Sequence, residues 1–185
     1  MILSVMERIF RKKGTRSGQV GFTLVELLVV VTIIGLLVGL VSVAVPKAIE
    51  SGMKAKAKGE LTAIVAAVKA YKQEYGRWPG TNSTSDISFE NANSKSLLSA
   101  LGGTNTTLVA NPKSVRLLEG ASTDGTMLDP WGTQYFVILD ADESNSMTYL
   151  GKTISMSVLA VSFGKDKKQD TTPGSGDDVF STDLK

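Results

Sequence analysis

The chain contains neither cysteine nor histidine, so the residues left to do chemistry are carboxylates, hydroxyls and amines. That absence excludes a Cys or His zinc site, a thiol nucleophile and a Ser-His-Asp triad. No disulfide can form either, so an exported domain must be held by its core or by a metal with oxygen ligands. Three groups of carboxylates stand out. Glu26 sits at the lip of a long apolar run. Asp140, Asp142 and Glu143 fall between two expected strands, where a solvated hairpin loop accounts for them better than an acid/base pair. Asp166, Asp170, Asp177 and Asp178 share a C-terminal stretch with Gly164, Gly174 and Gly176, which composition alone reads as a solvated polar loop.

Glu26 is positioned by the run over residues 27–45, which holds no charge. At 1.5 Å per helical residue such a run is about 28 Å long, close to the thickness of a bilayer hydrocarbon core. Before it, Arg8, Arg11, Lys12, Lys13 and Arg16 stand against the single acid Glu7. This excess predicts that the N-terminal side stays in the cytoplasm and that everything after Val45 lies outside. A lone carboxylate in hydrocarbon costs on the order of 3 kcal/mol by insertion scales, so Glu26 calls for a partner.

The motif Gly21-Phe22-Thr23-Leu24-Val25-Glu26, followed by a Leu/Val/Ile helix, resembles the class III signal of type IV pilins and type II secretion pseudopilins. The resemblance implies that a prepilin peptidase cuts between Gly21 and Phe22 and methylates the new N-terminus. It also implies that Glu26 of one subunit pairs with the Phe22 amine of a neighbour during filament assembly. Two rival readings exist. An ordinary signal peptide cleaved after Ser42-Val43-Ala44 leaves Glu26 unexplained and has a shorter apolar core. An uncleaved anchor shares the basic flank.

The elements that follow are legible from periodicity and punctuation. A chain of 185 residues supplies one modest domain beyond the apolar run. Its formal charge of +2 becomes about −2 once residues 1–21 are removed, which leaves no basic patch for nucleic acid. Past Pro46 the sequence predicts a helix to Tyr75, with Ile49, Met53, Leu61, Ile64, Val68, Tyr71 and Tyr75 within an arc of roughly 120°. Gly76, Trp78, Pro79 and Gly80 end it. Residues 81–127 are rich in Ser, Thr, Asn and Gly and read as a linker, with a small helix around Leu97, Leu98 and Leu101. Asp129-Pro130-Trp131-Gly132 is a turn leading into a strand over 134–139; further strands are expected over 154–163 and near 179–182. A long helix followed by an antiparallel sheet is an α+β arrangement, the amphipathic half of the helix covering one sheet face.

That arrangement is also the pilin fold, with a three-stranded antiparallel sheet expected here. The resemblance is closest to the major pseudopilins of type II secretion. Asp129-Pro130-Trp131-Gly132-x-x-Tyr135 is similar to a motif of that family, and Ser162-x-Gly164-x-Asp166 with Gly174-x-Gly176-Asp177-Asp178 is similar to its calcium loop. The resemblance implies Ca2+ held by Asp166, Asp177 and Asp178, with Asp170 a further candidate and Lys165, Lys167 and Lys168 weakening the site. It implies a leader over 1–21, a membrane and assembly helix over 22–46 and a periplasmic globular domain over 47–185. That domain divides into an amphipathic helix (47–76), a variable linker (77–127) and a sheet with its C-terminal loop (128–185). The function implied is structural rather than enzymatic: a single-pass inner-membrane protein that polymerises into a periplasmic pseudopilus. Its expected partners are its own copies, a prepilin peptidase, minor pseudopilins and the inner-membrane assembly platform of the secretion system. A surface-fibre type IV pilin and a non-polymerising membrane-anchored periplasmic domain are the other readings. Fibres on the cell surface would favour the first, and an uncleaved N-terminus the second.

Overall fold

A computed structural model of the protein describes residues 21–80, 85–122 and 124–182; the expected leader, Gly21 apart, lies outside them. The chain divides into two compact units, the first ending at Val45 and the second starting at Pro46. Helix α1, Leu24–Tyr75, contributes to both and is helical through Pro46. In the first unit the large apolar side chains of residues 24–45 are 44% to 80% exposed. By length and composition this part of the helix can cross a membrane.

In the second unit α1 buries Ala57, Leu61, Ile64, Ala67, Val68 and Tyr71. The spacing of four and three residues is that of one helix face turned to a core. The expected stripe is shorter at its start, for Ile49 is 53% exposed and Met53 half-buried. Full burial of this face begins at Ala57.

The remaining elements are β1 (Ile87–Phe89), α2 (Asn91–Leu101), β2 (Phe136–Leu139), β3 (Met147–Tyr149), β4 (Lys152–Ile154), β5 (Val158–Ser162) and β6 (Val179–Phe180). The main sheet has the order β1-β2-β5-β6, antiparallel throughout, and β3-β4 is a separate hairpin. The sheet therefore has four strands where three were expected. The added strand, β1, lies in the stretch read as linker and pairs Ile87 with Leu139 and Phe89 with Val137. The expected long strand over 154–163 is also two strands, because the Met156 N–H turns back to the Ile154 carbonyl at 3.2 Å.

Both faces of the sheet are covered. Val137, Leu139, Val158 and Ala160 meet the α1 and α2 side chains in one cluster, while Phe136, Ile138, Leu159 and Val161 meet Met147, Tyr149, Ile154 and Phe180 in another. Alternate residues of a strand point to opposite faces, so β2 is apolar throughout, β5 is apolar up to Ser162, and every residue in both is buried.

The stretch read as linker is built around Asn111, which is fully buried. Its amide nitrogen donates to the carbonyls of Ala100 at 2.7 Å and Val115 at 2.9 Å, and its Oδ1 accepts from the Val115 N–H and the Tyr75 hydroxyl. The Tyr71 hydroxyl donates to the neighbouring Ala110 carbonyl. Two α1 phenols thus hold the stretch to the helix.

Candidate functional site

Gly21 and Phe22 precede α1 and are exposed. A Cβ added at Gly21 would meet nothing within 4 Å, so the fold itself places no demand for glycine there. Thr23 and Glu26 cap the helix reciprocally. The Thr23 N–H and hydroxyl each donate to Glu26 Oε2 at 2.8 Å, and the Glu26 N–H donates to Thr23 Oγ1 at 3.2 Å. This is a capping box, two otherwise unpaired donors of a helix start satisfied at once. The carboxylate expected to lack a partner in its own helix therefore has one, and the Thr-x-x-Glu spacing was the signal for it.

The Asp129-Pro130-Trp131-Gly132 turn is drawn around a buried carboxylate. Asp129 Oδ1 accepts from the N–H groups of Trp131 at 3.1 Å and Thr133 at 2.7 Å, and Oδ2 accepts from the Ser162 hydroxyl at 2.5 Å. The Gly132 N–H closes the turn on the Asp129 carbonyl at 2.9 Å, with φ +84° at Gly132. Such a φ suits glycine. Tyr135, fully buried, donates its hydroxyl to Glu60 of α1 and accepts at its carbonyl from Ser94 of α2 at 2.5 Å. Burial first, then that bond to the Glu60 carboxylate, raises the phenol far above its usual value. The motif joins both helices to the sheet, and Glu60 is a partner that the sequence reading did not name.

The loop between β5 and β6 brings Asp170, Asp177 and Asp178 together, with carboxylate oxygens within 4.8 Å of one another. Asp166 stands aside: its carboxylate accepts from the Lys168 N–H at 2.8 Å, and its own N–H donates to Asp177 Oδ2 at 3.0 Å. Asp178 Oδ2 accepts from the Asp170 N–H at 3.1 Å, and Asp170 Oδ2 accepts from the Gly176 N–H at 3.0 Å. Asp178 Oδ1 is buried with no hydrogen-bond partner. Burial first, then the charges of Asp170, Asp177 and Asp166, push the Asp178 carboxyl up to about 6. Gly164, at φ +63°, is packed so closely that a Cβ would come within 2.5 Å of the Asp177 carbonyl.

Three carboxylates, an orphaned buried oxygen and tight glycine turns form a donor set suited to a hard cation such as Ca2+. Two of the three nearby lysines have other neighbours. Lys165 lines a cavity of about 350 Å³ with Trp131, and Lys167 Nζ lies 3.8 Å from where a Gly132 Cβ would stand.

A second trio, Asp86, Asp140 and Asp142, also has oxygens within 4.8 Å. Asp140 is buried, not solvated like the rest of its loop, because its carboxylate builds the turn by accepting from the Ser144 N–H at 3.0 Å and the Asn145 N–H at 2.8 Å. Glu143 pairs with Lys72 at 2.7 Å.

Residues 16–42 match the family described as the prokaryotic N-terminal methylation motif. A stretch of 66 residues is 35% identical to the type II secretion system core protein G of Pseudomonas aeruginosa. Together these give the chain an N-terminal methylation motif and a likeness, over part of its length, to a type II secretion core protein. The aligned stretch covers 36% of this chain and 46% of the relative, so the chain spans about half the length of the relative it matches. No solved structure matches the chain. The apolar helix is N-terminal and its later turns pack on an antiparallel sheet, an α+β arrangement consistent with the pilin fold.

Proposed function

We propose that this chain is the structural subunit of a periplasmic pseudopilus in a type II secretion system. A prepilin peptidase cuts it between Gly21 and Phe22 and methylates the Phe22 amine. The span over 24–45 anchors the subunit in the inner membrane with the globular unit in the periplasm, and on assembly the exposed apolar helices of neighbouring copies cover one another. Growth then requires minor pseudopilins and an inner-membrane platform as partners. The observation that carries this reading is the methylation motif set against the start of a helix whose apolar residues over 24–45 are all exposed. Apolar area is worth about 25 cal/mol per Å² when removed from water, so such a surface demands lipid or another helix.

Glu26 has a place in the assembly step. Its capping bonds engage one oxygen, Oε2, which leaves the other free to meet the Phe22 amine of a neighbouring copy. The calcium reading belongs to the same proposal: Asp170, Asp177 and Asp178 hold the ion, with Asp166 supporting Asp177 through its N–H. The ion supplies countercharge to a loop that otherwise repels itself.

Intact-mass analysis of the protein from membranes tests the processing step. The expected product begins at an N-methylated Phe22, and Gly21→Val leaves the precursor uncut, since the peptidase must approach the backbone where a Cβ would intrude. Retention of Met1 in assembled protein, or an N-terminus at Val45, would overturn the proposal.

A further inference from the structure

The calcium reading leaves one group of the molecule without a role. Tyr149, at the end of β3, is 3% exposed, yet its hydroxyl has no hydrogen-bond partner among the described residues. Its ring is well placed, 6.0 Å from those of Phe136 and Phe180, the latter edge-on. Phenylalanine would fill that space equally well, so packing gives no reason for the oxygen. Gln169, the residue before Asp170, lies beside the hydroxyl without completing a bond of normal geometry.

A second buried atom without a partner, Asp178 Oδ1, belongs to a carboxylate near enough for its charge to act on the Tyr149 phenol. Asp178 directly precedes β6, two residues before Phe180, and alternate residues of an extended chain share a face. The Asp178 carboxylate therefore emerges on the side where Phe180 meets Tyr149. Buried polar atoms are nearly always paired, so a donor and an acceptor both left open on one face mark a place where something polar belongs. A cation on the carboxylates completes Asp178, and the waters and oxygens around calcium accept hydrogen bonds. Burial first, then the charges of Asp178 and Asp170, hold the phenol at about 12, so it remains a donor at neutral pH.

We infer that Tyr149 is a positioning residue of the cation site, its hydroxyl donating a hydrogen bond into the oxygen shell begun by Asp170, Asp177 and Asp178. The inference rests on the calcium reading above. It makes the β3-β4 hairpin a support of the metal loop, although no residue of the hairpin supplies a carboxylate to it. Partners of this outer kind commonly change metal affinity by tenfold or more when removed.

The test uses the full-length chain in detergent micelles, calcium chloride as the probe, and Tyr149→Phe beside the unmutated protein. Calorimetry is expected to show about tenfold weaker calcium binding by the variant. In chelator the variant should melt at or above the unmutated protein, because the oxygen removed had no partner to lose. A purely structural tyrosine would give the reverse pattern, a lower melting temperature in chelator and an unchanged affinity, and that would overturn the inference. Equal calcium affinity of the two proteins would also overturn it while leaving the calcium reading intact. No binding by the unmutated protein would sink both.

Discussion

Two residues outside the helix show how closely local chemistry sets conformation, and each yields a measurement. Asp124 accepts from the hydroxyls of Ser122 and Thr126 and from the Thr126 N–H, which favours its charged form and brings its carboxyl down to about 2. A depressed acid stabilises the fold above its unfolded value, near 4, and that contribution is lost as pH falls through the folded value. An NMR titration should therefore place the Asp124 midpoint well below those of ordinary aspartates; a midpoint of 3.8 would mean that the turn is not formed in solution. At Gly164, Gly164→Ala must adopt φ +63° and push its Cβ against the Asp177 carbonyl. A loss of about 2 kcal/mol is expected on denaturation, and an unchanged midpoint would contradict the packing described. The four acids of this loop were visible in the sequence, but which three converge was not. Asp166 and Asp170 are equally close to Asp177 in kind, and only the turn at 164–168, with Lys167 at φ +60°, sends one inward and the other aside.

At the scale of the element, the start of α1 separates two duties of one side chain. Glu26→Gln keeps an acceptor for the Thr23 N–H and hydroxyl, and glutamine serves a capping box as glutamate does. Glu26→Val loses the cap as well, at about 1 kcal/mol. If the charge is what recruits the next subunit, both variants insert and are processed, and both fail to form filaments in sheared fractions or by microscopy. Normal filaments from Glu26→Gln would leave Glu26 as a cap alone. The Tyr135 hydroxyl is the corresponding joint between sheet and helix, and Tyr135→Phe leaves Glu60, whose side chain is 25% exposed, with only the Lys56 ammonium at 3.9 Å. A destabilisation of about 1 to 2 kcal/mol is expected in thermal melts. The α1 core stripe from Leu61 to Tyr71 was legible because period 3.6 persists over several turns. Strand β1 was not, since three residues among serines and asparagines carry no periodicity, and their pairing with β2 is a contact across about fifty residues. The Glu60–Tyr135 bond was hidden for the same reason.

For the molecule as a whole, calcium should act as a ligand of the folded state. At a hundredfold excess over its dissociation constant such a ligand adds about 2.7 kcal/mol, so the full-length chain in micelles is expected to melt higher with millimolar calcium than with chelator. Asp177→Ala or Asp178→Ala should erase the difference, and equal melting of the unmutated protein in both would count against the ion. The sheet carries one more consequence. Its two open borders are β1, three residues long, and β6, two residues long, while the long apolar strands β2 and β5 are enclosed on every side. Exposed strand borders are templates for runaway association, and short ones offer little to grip. In the assembly proposed above, a subunit packed beside copies of itself is thereby denied amyloid-like stacking as a way to aggregate, and ordered growth falls to the apolar helix.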